Sequence, residues 1–312
     1  MIEVQDLVKR YGDAPAVSGI SFTVARGEVV GFLGPNGAGK STTMRILAGC
    51  LAPTAGAVRL GGLDSREHGL EARAQVGYLP ENNPLYEDLE TGEYLEWCAA
   101  ARGLSGPRRT ARLRAAVEAC SLGEVLGKPL GLLSRGFRQR AGLAAAILHD
   151  PPILLLDEPT SGLDPNQARE VRSLIAGLKA EKTVLLSTHV LSEVEAVCDR
   201  VVILDKGRIA ASGTPAELAR RAGGAARVWV SLSADGLSLD AARSALAALP
   251  GALAAEPVPA PEGEARFAVE TEGDPRAEVF RLAARQGWTL LELRREEASL
   301  EELFRQLAGG GP

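Results

Sequence analysis

No stretch of the 312 residues approaches the roughly 18 consecutive apolar positions that mark a membrane span. The N-terminus, Met1-Ile2-Glu3-Val4-Gln5-Asp6, has neither the basic start nor the apolar block of a secretory signal. Four cysteines, Cys50, Cys98, Cys120 and Cys198, form no C-x-x-C pair and no metal-ligand spacing. They read as reduced core thiols of a cytoplasmic protein. A basic excess is missing as well. Residues 225–312 hold 9 Arg, no Lys and 14 Asp or Glu, a net of −5, which leaves residues 1–224 balanced at 26 of each sign. A protein that wraps a phosphate backbone normally shows a positive balance, so nucleic acid is not the expected partner. What remains, 46% hydrophobic and 24% charged, is a globular composition with room for one large or two ordinary domains.

Against those absences stands one dense motif, Gly34-Pro35-Asn36-Gly37-Ala38-Gly39-Lys40-Ser41-Thr42. It fits G-x-x-x-x-G-K-[ST], with a buried-strand run, Val29 to Leu33, before it and a helical pattern, Thr43 to Leu47, after it. Three glycines let the backbone turn tightly and aim successive N–H groups at one phosphate, and the helix that follows adds its positive end. In such a loop Asn36 to Thr42 cradle the phosphates, Lys40 reaches the β- and γ-phosphates and the Ser41 hydroxyl ligates Mg²⁺.

The chain around it alternates strands and helices, the pattern of an α/β protein with a parallel sheet. Strands are expected at Ile2–Leu7, Val17–Val24, Val76–Leu79, Ile153–Leu156 and Thr183–Ser187, with a hairpin around Lys206-Gly207. From about residue 85 to 135 the pattern turns helical, an insertion in the α/β core. Composition shifts at Ala222-Gly223-Gly224-Ala225, so the first domain is expected at 1–222 and a second at 225–308. The second reads β-α-β-β-α-β, a small ferredoxin-like α+β domain, with a closing helix opened by the capping box Ser299-Leu300-Glu301-Glu302.

Three further stretches carry chemistry. Asp157-Glu158 ends an apolar strand, where the aspartate can hold Mg²⁺ and the glutamate can deprotonate a water. Leu133-Ser134-Arg135-Gly136-Phe137 opens a helix and so makes a second anion-attracting end. His189 follows the strand Thr183–Ser187 and can reach a terminal phosphate; His68 and His149 have no such setting.

The order of these pieces, with Ser161-Gly162-Leu163-Asp164 between the carboxylates and His189, resembles the ATP-binding subunit of an ABC transporter over residues 1 to about 220. Gly77 to Tyr86 and the C-terminal extension resemble the subunits that pair with ABC-2-type export permeases, including the gliding-motility group. The resemblance implies ATP and Mg²⁺ as cofactors, a pair of ATPase subunits, a separate permease and a place on the inner face of the membrane. It implies that Tyr11 stacks on adenine, Glu158 is the catalytic base, His189 senses the γ-phosphate, and Ser134, Gly136 and Asp164 work across to a second subunit. Two departures stand out. Glu81 replaces the usual Mg²⁺-contacting Gln, and a carboxylate binds Mg²⁺ but donates no amide hydrogen bond. The signature reads Leu-Ser-Arg-Gly-Phe, so Arg135 would add positive charge near the nucleotide. The alternative is a non-transport relative acting on DNA or ribosomes. It is disfavoured by the single phosphate loop, the absence of a charged linker, and only about a hundred residues between loop and signature, too few for a long coiled coil.

Overall fold

The computed structural model describes residues 1–221, 226–233, 237–261 and 263–296, together with 301 and 304. Its chain divides into Met1–Pro215 and Ala216–Pro312. The Ala222–Ala225 stretch lies outside the described residues, as does the expected closing helix from Ser299 apart from Glu301 and Phe304.

The first unit opens with β1 (Ile2–Tyr11) and β2 (Ala14–Val24), paired antiparallel around Gly12, whose φ of 57° suits the turn. β3 (Val29–Leu33) is buried at every residue, as a Val/Leu/Phe run between two covered faces must be. It feeds the glycine loop and α1 (Lys40–Leu47). β4 (Ala55–Leu60) and β5 (Leu63–Asp64) then join β1 and β2 in a four-stranded sheet of order β2-β1-β4-β5. β4 is absent from the sequence expectation because Ala55-Gly56-Ala57 has little β-propensity; its pairing with β1 overrides that. α2 (Gly69–Ala74) leads to β6 (Val76–Leu79).

The helical insertion is α3 (Thr91–Ala101), α4 (Gly106–Ala119) and α5 (Arg135–Ile147), packed around Tyr94, Leu95, Leu122, Leu130 and Leu143. Pro107 sits in the first turn of α4, where its missing N–H costs nothing. The core resumes with β7 (Ile153–Asp157), α6 (Pro165–Leu178), β8 (Thr183–Thr188), α7 (Leu191–Val197), β9 (Arg200–Asp205) and β10 (Arg208–Gly213). These strands form the order β10-β9-β3-β8-β7-β6, parallel throughout except for the β9–β10 hairpin. The order decides the site: β3, β8 and β7 are neighbours, so the segments leaving their C-terminal ends emerge side by side, where open α/β sheets bind ligands. Register aligns those ends, with Leu33 opposite Thr188 and Ser187 opposite Asp157.

After α8 (Pro215–Arg221), the second unit runs β11 (Ala226–Ser233), α9 (Leu239–Ala247), β12 (Ala252–Val258), β13 (Ala265–Thr271), α10 (Arg276–Gln286) and β14 (Thr289–Glu296). Its antiparallel sheet has the order β12-β13-β11-β14, the ferredoxin-like arrangement. Val228, Val230 and Leu232 alternate inward on β11 and pack with Phe267, Leu246 and Val279. β12 occupies an edge, the place in a sheet where its Pro257 is tolerated.

Candidate functional site

The glycines of the loop after β3 are there for stereochemical reasons. Gly37 and Gly39 adopt φ of 80° and 102°, and a Cβ on Gly39 would lie 2.6 Å from the Ala16 carbonyl. The loop folds around Lys40, whose side chain is only 6% exposed and whose Nζ donates to the Gly34 carbonyl at 2.7 Å. Nζ also lies 3.5 Å from Glu158 Oε1. Residues Pro35 to Thr42, with Ala16, Glu81 and Glu158, line a cavity of about 380 Å³.

Two carboxylates meet this loop from β7. Asp157 Oδ1 accepts from Ser41 Oγ at 3.1 Å and also from Ser187 Oγ on β8. Burial raises its pKa, the two hydroxyls oppose that, and the nearby charge of Glu81 adds to it. Glu158 holds a left-handed backbone, φ 49°, secured by its N–H, which donates to Ser187 O and Ser187 Oγ, each at 3.1 Å. Its Oε2 lies 2.8 Å from His189 Nδ1. Burial raises the Glu158 pKa too, against the opposing pull of His189 and Lys40. A carboxylate with a raised pKa beside a cation and an imidazole is the setting of a general base.

These oxygen donors fit a hard divalent cation. Among the described residues no group of three or more His, Cys, Asp or Glu could hold a metal unaided. Ser41 and Asp157, 3.1 Å apart, with Glu81 lining the same cavity as Ser41, would therefore share Mg²⁺ with phosphate oxygens, the usual arrangement for that ion.

Other expected residues lie apart from that cavity. Tyr11 is 52% exposed at the end of β1, with Lys9 Nζ 5.4 Å from its ring centroid. Ser134 caps α5, accepting from Phe137 N at 3.4 Å, and Gly136 is buried in its first turn against the Gln167 side chain. Asp164 caps α6 through the N–H groups of Asn166 and Gln167 at 3.0 and 2.9 Å. None of the four lines the loop cavity. Arg135 lies with its guanidinium against Gly162, so that a Cβ on Gly162 would fall 2.2 Å from Arg135 Cζ. A second cleft of about 400 Å³ runs from Glu81–Leu85 to Arg135, Gln139 and Ser161, and Glu81 borders both cavities. Sequence reasoning missed the hydroxyls of Thr160, Ser187 and Thr188 and the buried Glu193; the only signal was the run Ser187-Thr188 directly before His189.

Residues 17–161 match the family described as ABC transporter. The Nod factor export ATP-binding protein I of Ralstonia nicotianae is 37% identical over 99% of this chain and 94% of its own length. The chain belongs to the ABC transporter family, as one of its ATP-binding ATPase subunits. This ABC subunit is also 40% identical, over 70% of its length, to a probable multidrug ABC transporter ATP-binding protein of Escherichia coli, and spans 38% of that relative. The dimeric structure of a bacterial ABC transporter cassette superposes with a TM-score of 0.63 at 25% identity, covering 69% of the ABC subunit and 98% of the cassette.

Proposed function

We propose that this chain hydrolyses ATP as part of an exporter, with two copies closing around two Mg·ATP and driving a separate ABC-2-type membrane permease. The observation that carries this is the division of the site. Lys40, Ser41, Asp157, Glu158 and His189 converge at one end of the sheet, whereas Ser134 and Gly136 begin a helix that does not border the loop cavity. A second copy would bring its α5 to the loop and complete the site. Similarity to the dimeric cassette supports the pairing, and the export names of relatives support the direction of transport.

Within each half, the loop from Asn36 to Thr42 would bind the phosphates and Tyr11 would stack on adenine. Glu158 would take the proton of the attacking water, with His189 orienting it and contacting the terminal phosphate. Ser41, Asp157 and Glu81 would hold Mg²⁺, which when bound neutralises charge developing on the phosphates. Asp164 lies in the segment that would cross to the other copy. Closure by nucleotide and reopening after hydrolysis amount to a population shift between two states, which the permease would read through the segment around Asn82 to Glu93. Among the described residues no helix is long and apolar enough to cross a membrane, so contact with the inner face would run through the permease. The stretch Gly77 to Tyr86 and the C-terminal domain support the ABC-2 assignment.

Replacing Ser134 by Arg puts a bulky cation at the helix start that would face the other copy's nucleotide. S134R is expected to bind ATP within about twofold of wild type while losing turnover by about a hundredfold or more. Turnover near the wild-type rate would mean that the loop works alone.

A further inference from the structure

Glu193 is a buried carboxylate, 4% exposed, on α7. Among the described residues no Lys, Arg or His pairs with it. Instead its two oxygens take two hydroxyls: Thr160 Oγ1 donates to Oε1, and Thr188 Oγ1 donates to Oε2 at 2.7 Å. Thr188 Oγ1 also accepts from Val190 N at 3.0 Å, so its own proton is left for the carboxylate. Burying a carboxylate without a cation is costly, and these hydrogen bonds are its compensation.

The two threonines are not arbitrary positions. Thr160 follows Glu158 by two residues across the rigid Pro159, and Thr188 directly precedes His189. Glu158 and His189 in turn are 2.8 Å apart. Glu193 thus closes a ring that runs Glu158, Pro159, Thr160, Glu193, Thr188, His189 and back to Glu158. The same clamp fixes the start of the segment that ends at Asp164, whose other end is held by the cap of α6.

We infer that Glu193 is a positioning residue for ATP hydrolysis: it locks the Glu158–His189 pair, and the segment leading to Asp164, in a single arrangement. The inference rests on Glu158 and His189 acting as proposed above. Without the clamp, the base and the imidazole can separate by a fraction of an ångström while the phosphate loop, on the far side of Glu158, stays as it is. Misplacement on that scale costs turnover rather than binding.

E193Q keeps the side-chain volume but replaces the charged acceptor by an amide, so one threonine must turn its proton elsewhere and accept instead, and both bonds of the clamp become weaker neutral ones. Steady-state ATPase kinetics on the full-length protein should show kcat lower by about tenfold with KM for ATP within about twofold. T160V should fall in the same direction, and T160S, which restores the hydroxyl, should recover most of the loss. Wild-type kcat in E193Q would overturn the inference. So would a loss that tracks only the folded fraction, or one in which T160V and T160S behave alike. E158Q measured alongside separates the two ideas. If E158Q turns over normally, the base assignment fails; if E158Q is inactive and E193Q is not, the clamp alone fails.

Discussion

At the scale of single residues, Glu158 concentrates the tension of the site. It occupies a left-handed backbone, φ 49°, that most side chains avoid, and it places a carboxylate where burial disfavours the charge. Lys40 at 3.5 Å and His189 at 2.8 Å offset only part of that cost, since the net direction of the pKa is upward. Linkage fixes the sign. A carboxyl whose folded pKa is raised costs nothing below its unfolded value of about 4.3, and the fold loses stability as pH rises through the folded pKa. Glutamine at 158 mimics the neutral acid and removes that loss. Calorimetry without nucleotide should therefore find E158Q unfolding above wild type at pH 8, with the gap closing toward pH 4. A lower midpoint for E158Q at pH 8 would show that Lys40 and His189 outweigh burial.

Among the elements, the contact of α5 with β6 is set by the absence of a side chain. A Cβ on Gly77 would lie 2.2 Å from the Ala146 carbonyl, a backbone atom that cannot swing aside as a side-chain tip would. G77A should cost about 2 kcal/mol or more in denaturant unfolding, because helix and strand must be pushed apart. An unchanged midpoint would mean that α5 rides loosely on the sheet. Element scale is also where the limits of the sequence show. The phosphate loop, Asp157-Glu158 and the Ser134 cap were legible because each is a short run whose spacing has a local stereochemical cause. β4 was not, because Ala55-Gly56-Ala57 carries weak strand preference and becomes a strand only by pairing with β1. Glu193 in Leu191-Ser192-Glu193-Val194 reads as one more surface glutamate. Only the fold turns it inward onto hydroxyls 5 and 33 residues away. Arg135 likewise reads as a charge for the nucleotide, whereas in its own chain it lies on Gly162.

For the molecule as a whole, the proposed function requires one chain to hold half of each site. The sheet order β3-β8-β7 gathers the chemistry of the loop, the carboxylates and His189, and leaves the start of α5 outside that cavity. Such a chain would gain affinity for its own copy only when nucleotide fills the gap, and would lose it on hydrolysis. The most direct test is the solution mass of E158Q, expected to bind but not hydrolyse ATP, with and without Mg·ATP. The expected result is a monomer without nucleotide and a dimer of twice 32.7 kDa with it, the dimer being lost when S134R is added to E158Q. A protein that saturates with Mg·ATP and stays monomeric would contradict it.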